Sequence, residues 1–107
     1  METYIIIGNF RGGGDMANMD FDNPDGAEDM AKKAIEAVGG RWLHSWATLG
    51  RFDLFVVVEV PNAAAVRAFV ACLPEGISTE TIRAFPGENR DSEFLENAKK
   101  ILSVMSQ

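Results

Sequence analysis

Two strand-like runs, Arg41 to Leu49 and Phe52 to Val60, meet at Gly50-Arg51, and this junction constrains the fold more than any other stretch. Gly followed by any residue suits a two-residue type II′ turn, whose twist matches that of paired strands. The register that follows sets Leu49 opposite Phe52, Ala47 opposite Leu54, Ser45 opposite Val56 and Leu43 opposite Val58. That face is almost wholly apolar and small enough to pack beneath helices. The other face pairs Thr48 with Asp53, Trp46 with Phe55, His44 with Val57 and Trp42 with Glu59. Because side chains alternate along a strand, a one-residue slip would exchange the two sets, and their chemical contrast supports this register.

The remaining elements read in order around the hairpin. Tyr4 to Phe10 contains the β-branched Ile5, Ile6 and Ile7 and predicts a strand. Arg11 to Asp22 reads as a loop, with Gly12 to Gly14 as a hinge and the length of the connection pointing to a lid or arm. Asn23 is positioned to cap a helix, with Pro24 in its first turn and Gly39-Gly40 at its end. Pro61-Asn62 opens a second helix over Ala63 to Leu73, so apolar that more than one side must be covered. Ile77 to Phe85 is a fourth strand. Asp91 or Ser92 then caps a last helix, on which Phe94, Leu95, Ala98, Ile101, Leu102 and Met105 form an apolar stripe.

The order β-α-β-β-α-β-α, folded with right-handed crossovers, predicts an α+β, ferredoxin-like βαββαβ domain with an extra C-terminal helix and a four-stranded antiparallel sheet. A single domain over residues 1–107 is expected, since no linker divides the chain. With 47% hydrophobic and 24% charged residues, disorder is a poor description. The single cysteine, Cys72, cannot close an internal disulfide, and the N-terminus lacks a basic, signal-like segment, so the cytoplasm is the expected location. The net charge of -6, with scattered basic residues, disfavours nucleic acid and anionic membranes as partners. One His and one Cys on different elements offer no metal-ligand spacing. RGGGD lacks the ending of a phosphate loop, and no dinucleotide fingerprint appears, so no cofactor is expected.

In such a fold two helices cover one sheet face and leave the other open, here carrying Trp42, His44, Trp46, Phe55 and Val57. Aromatic side chains bury roughly 150–250 Å² each, so the patch is large enough to mark an interface or ligand site. His44 is a candidate acid or base, flanked on its face by Asp53 and Glu59. Its plainer role is a polar group held in an interface. Asp53, just after the turn, is suited to accept backbone or Thr48 hydrogen bonds, and Glu59 to pair with Arg41 or with an arginine of a second subunit. Trp42 and Trp46 are interface residues or the walls of a cavity. Arg83 binds a carboxylate or phosphate if it faces that cavity, and otherwise pairs with Glu80 or a neighbouring strand.

GGRW after the first helix, TLGRFD across the hairpin, VEVP after the third strand and TETIRAF in the fourth together resemble the GYD-domain family. Gly50, Phe52 and Asp53 stand for its Gly…Tyr-Asp signature, with Phe52 in place of the tyrosine. Glu59-Val60-Pro61-Asn62 stands for its Glu-x-Pro-Asp element, with Asn62 in place of the acid. The resemblance implies a dimeric α/β-barrel architecture and carries no settled activity. Two functions follow as expectations. One is a homodimeric binding or structural module enclosing a small apolar cavity. The other is a cofactor-independent enzyme, such as an isomerase or monooxygenase, acting on a small hydrophobic or aromatic compound, with His44 moving a proton and Arg83 or Glu59 orienting the substrate.

Overall fold

A computed structural model of the chain describes residues 1–11, 21–85, 87 and 91–107. Its elements are β1 (Glu2–Phe10), α1 (Gly26–Ala37), β2 (Arg41–Ala47), β3 (Leu54–Val60), α2 (Ala63–Ala71), β4 (Ile77–Ala84) and α3 (Ser92–Met105). The strands form one antiparallel sheet in the order β2-β3-β1-β4, the ferredoxin-like arrangement with an added helix. The proposed hinge at Gly12 to Gly14 lies outside the described residues. Among those described, no helix is long and apolar enough to cross a membrane.

The central pairing of β1 with β3 sets Tyr4 opposite Val58, Ile6 opposite Val56 and Gly8 opposite Leu54. Opposed residues share a face, and α1 and α2 lie over this one. Ile35 of α1 and Val66 of α2 complete the buried core with Val60. On α1, Glu28, Ala31, Lys32 and Ile35 share the inner side at helical spacing, with only Ile35 fully enclosed. Each such aliphatic burial contributes roughly 1.5–3 kcal/mol. The core is therefore a single layer, one side chain deep.

Local chemistry marks most of the element ends. Asn62 accepts a hydrogen bond from the Ala65 N–H at 3.1 Å, and Asp91 accepts one from the Phe94 N–H at 2.9 Å. At α1 the expectation fails: the capping position is Asp25, two residues after Asn23, and no side chain there bonds the helix end. Glu28 and Asp29 in the first turn still favour the helix dipole. Gly39, at φ 82°, takes the left-handed conformation that turns the chain out of α1, and the Gly40 N–H reaches back to Ile35 O at 2.9 Å.

The hairpin follows the expected register from His44 to Ala47, with His44 opposite Val57, Ser45 opposite Val56, Trp46 opposite Phe55 and Ala47 opposite Leu54. It departs at both ends. The last rung is the Thr48 N–H to Asp53 O bond at 2.9 Å, so Leu49 does not pair with Phe52 and stands fully exposed at a wider turn. Gly50 there adopts φ 109°. At the other end a bulge between Trp42 and His44 shifts the ladder, and Trp42 lies opposite Val58 instead of Glu59. One extra residue on one strand turns every side chain beyond it to the other face. Trp42 accordingly packs against the helix-covered core, not on the open face.

The approach of the α1–β2 corner to the sheet is close enough to test. A Cβ on Gly40 would come within 2.6 Å of Glu59 O, 2.9 Å of Ile35 Cγ2 and 3.0 Å of Val60 Cγ1. Gly40→Ala is expected to destabilise the protein by about 1–3 kcal/mol, as overpacking of a rigid site does, measured as a lower urea midpoint at unchanged slope.

Candidate functional site

The open face is built by alternate residues of the four strands: Ile5 and Ile7 from β1, His44 and Trp46 from β2, Phe55 and Val57 from β3, and Ile82 with the charged Glu80 from β4. Trp46 keeps 51% of its surface exposed and Ile82 46%, which is high for residues in a sheet. The His44 ring stacks on Trp46 with centroids 5.3 Å apart and planes 19° from parallel, and Phe55 meets the indole at 5.9 Å and 58°. Three rings thus form a continuous shelf, of the offset and tilted geometry that aromatic quadrupoles favour. Three of the expected site residues, His44, Trp46 and Phe55, are brought together there. Glu59 lies on the same face opposite Arg41.

The two carboxylates expected to flank His44 are engaged elsewhere. Glu59 accepts from the Arg41 guanidinium, through Nε at 3.2 Å and through Nη2 in a shorter contact. Of the two partners foreseen for it, the structure places Arg41 beside it. Asp53 Oδ2 accepts the backbone N–H of Phe10 at 2.8 Å, and the Asp53 N–H is shared between Gly8 O at 2.9 Å and Asn9 Oδ1 at 3.1 Å. Asp53 therefore pins the end of β1 to the start of β3. Thr48, the other partner considered for it, donates instead to Phe52 O at 2.6 Å. His44 stands over a ring, with no carboxylate bonded to it among the described residues.

Arg83 does not face the aromatic shelf. It lies opposite Tyr4, on the helix-covered side of the sheet, because β4 pairs with β1 in a register that hairpin chemistry does not reveal. Its Nη2 sits 3.5 Å from Glu2 Oε2, and its guanidinium lies 4.7 Å from the centre of the Phe85 ring. Tyr4 Oη donates to the other Glu2 oxygen at 2.7 Å. The bond to Glu2, then burial, then the Glu2 charge raise the Tyr4 pKa, and Arg83 partly opposes them. This Glu2-Tyr4-Arg83 cluster was not foreseen. Its only sequence signal is the two-residue spacing of Glu2 and Tyr4, which puts both on one face of a strand.

A groove of about 590 Å³ runs between α1 and β2, lined by Lys32, Glu36, Arg41, Trp42, Leu43, His44 and Ser45. Ser45 Oγ donates to Glu28 Oε1, and Lys32 Nζ lies 3.8 Å from the same oxygen. Trp42 Nε1 is buried without a hydrogen-bond partner among the described residues. An orphaned donor of this kind costs roughly 1–3 kcal/mol. Among the described residues no three His, Cys, Asp or Glu side chains gather as metal ligands would.

Asp53→Ala is expected to destabilise by about 1–3 kcal/mol, because it leaves the Phe10 N–H without its acceptor, whereas Asp53→Asn keeps an acceptor oxygen and costs less. Chemical denaturation of the two variants beside the parent protein checks the order. Tyr4 is the single tyrosine of the chain, so its ionisation can be followed by phenolate absorbance without interference. With the folded pKa above the unfolded value of about 10, stability is intact below about pH 10 and falls as pH rises through the folded pKa. Tyr4→Phe removes this alkaline loss. A folded-state titration at or below the ordinary tyrosine value contradicts the assignment.

The GYD domain model matches residues 4–92 of the 107-residue chain, which takes in all four strands and the first two helices. No curated protein and no solved structure matches the chain. The sheet order, the Gly50-Phe52-Asp53 turn and the Asn62 cap sit inside the matched region. On that match, which covers well over half its length, the chain belongs to the GYD domain family.

Proposed function

We propose that the protein is a homodimeric binding module, in which two open sheet faces pack together and enclose a small apolar cavity. The observation that carries this reading is the half-exposed Trp46 on the outer strand β2, with His44 stacked on it and Phe55 tilted against it, on the sheet face opposite α1 and α2. Exposing a ring system of this size to water is costly, and contiguous apolar patches on single domains mark contact surfaces. The rigidity of the shelf matters as well. Side chains already locked by stacking lose little entropy when a second surface arrives.

The cavity between two such faces is walled by His44, Trp46 and Phe55 from each copy, with Ile5, Val57 and Ile82 around them. Trp42 takes no part, since the β-bulge turns it to the opposite side, and neither does Arg83. The occupant that suits these walls is a small apolar or aromatic compound, with the His44 ring nitrogens as polar contacts. A proton-transfer function for His44 draws less support, because Asp53 and Glu59 are both committed to other partners.

Native mass spectrometry and sedimentation of the purified protein test the reading directly. A dimer is expected, along with any small molecule it retains. Trp46→Glu places a charge on the aromatic shelf and is expected to weaken association at least about 30-fold, the scale of an interface residue that carries much of the binding. A parent protein that sediments as a lone chain at high concentration, or a Trp46→Glu variant that associates as tightly as the parent, overturns it.

A further inference from the structure

The helix α3 is strongly two-sided yet buries none of its residues. Phe94, Leu95, Ile101, Leu102 and Met105 are between 48% and 75% exposed, all in the stripe that the helical spacing aligns. The described chain measures 63 × 30 × 23 Å, with a radius of gyration of 17.7 Å, where a packed domain of about 100 residues has about 13 Å. The chain is thus drawn out, with an apolar stripe turned to solvent. On the helix-covered side, a second feature lacks a partner. An apolar groove of about 600 Å³ runs between α2 and β4, floored by the small Ala63, Ala64 and Ala71 beside Val66, Val70 and Thr81.

We propose that α3 of one copy seats its apolar stripe in the α2–β4 groove of a second copy, reciprocally, so that the helix is an exchanged arm. Large side chains on the stripe meet small ones in the groove, the complementarity that lets helices approach closely. Arg67 borders the groove, and α3 carries Glu93 and Glu96 together with Lys99 and Lys100, so the contact is governed by apolar fit and not by charge. Six stripe residues present on the order of 500 Å² of apolar surface. Two stripes and two grooves together then remove about 2,000 Å², within the range of a stable interface of about 1,200–2,000 Å². A two-fold exchange is self-complementary, so taken alone it closes as a dimer, and together with the sheet-face contact it links dimers into a tetramer or a longer assembly. Pairing of α3 with α3 is the weaker arrangement, since the helix has 14 residues and offers only four turns of contact. The exchange uses the opposite side of the sheet from Trp46 and does not depend on the cavity reading.

Two full-length variants test it, Leu95→Glu/Leu102→Glu on the stripe and Ala64→Glu in the groove. All of these positions are exposed, and an unchanged far-ultraviolet spectrum with a cooperative thermal transition certifies folding. In a Trp46→Glu background, where the sheet-face contact is removed, each variant is expected to weaken the remaining self-association at least tenfold by sedimentation. Mixed in equal amounts they are expected to recover mixed assemblies by native mass spectrometry, because the intact α3 of one fits the intact groove of the other. Association unchanged in the stripe variant overturns the proposal. So does an effect of the stripe variant without one of the groove variant, which indicates α3–α3 pairing. Weakening in both with no recovery on mixing indicates a helix folded onto its own chain and overturns it too. If Trp46→Glu alone abolishes association, the exchange fails and the sheet-face dimer stands. If only the stripe and groove variants act, the reverse holds.

Discussion

The interleaving of Tyr4 and Ile6 with Val56 and Val58 across β1 and β3 is the contact on which the rest of the molecule depends. It joins the first strand to the third at the centre of the sheet, and the buried face it creates is the only one onto which α1 and α2 can press Ile35 and Val66. Gly8 and Gly40 are consequences of the same closeness. At Gly8 a side chain would crowd Leu54, and at Gly40 one would strike the backbone of Glu59. Asp53 belongs to this constraint as well, since its carboxylate ties Phe10, at the end of β1, to the start of β3. A residue placed where a signature suggests chemistry is fastening the two central strands.

Much of this was legible because the signals are local. The Gly50 turn and the contrast between the two hairpin faces gave the register from His44 to Ala47, and Asn62 and Asp91 announced two helix starts through their capping oxygens. The bulge between Trp42 and His44 was not legible, because an inserted residue changes pairing without changing composition, and Trp42 is as suited to a core as to an interface. Arg83 was misplaced for a different reason. The pairing of β4 with β1 joins residues far apart in the chain, from Phe10 with Ile77 to Thr3 with Ala84, and neither strand alternates sharply enough to declare its face. Asn23 had the right chemistry for a cap, but the helix begins after Asp25.

The aromatic shelf and the Glu2-Tyr4-Arg83 cluster divide the chemistry of the domain between its two faces. On the open face Arg41 pairs with Glu59 at the β2 margin, Glu80 lies opposite Ile7 on the β4 side, and the aromatic rings sit over β2 and β3. On the covered face, a phenol, a carboxylate and a guanidinium sit at the rim of the core, where each satisfies another. In the dimer proposed above, a ligand would be selected by shape and apolar area. The second surface is a structural clasp, holding the outer strand β4 to β1.

The bulge in β2 has an effect beyond the side chain it redirects. β2 is an outer strand, and an outer strand rich in apolar residues exposes a row of backbone donors and acceptors that invites further strands to add on. By interrupting that row between Trp42 and His44 and sharpening the local twist, the extra residue spoils the template for growth at this margin of the sheet. The same irregularity that buries an indole thus also protects the protein from polymerising through its edge.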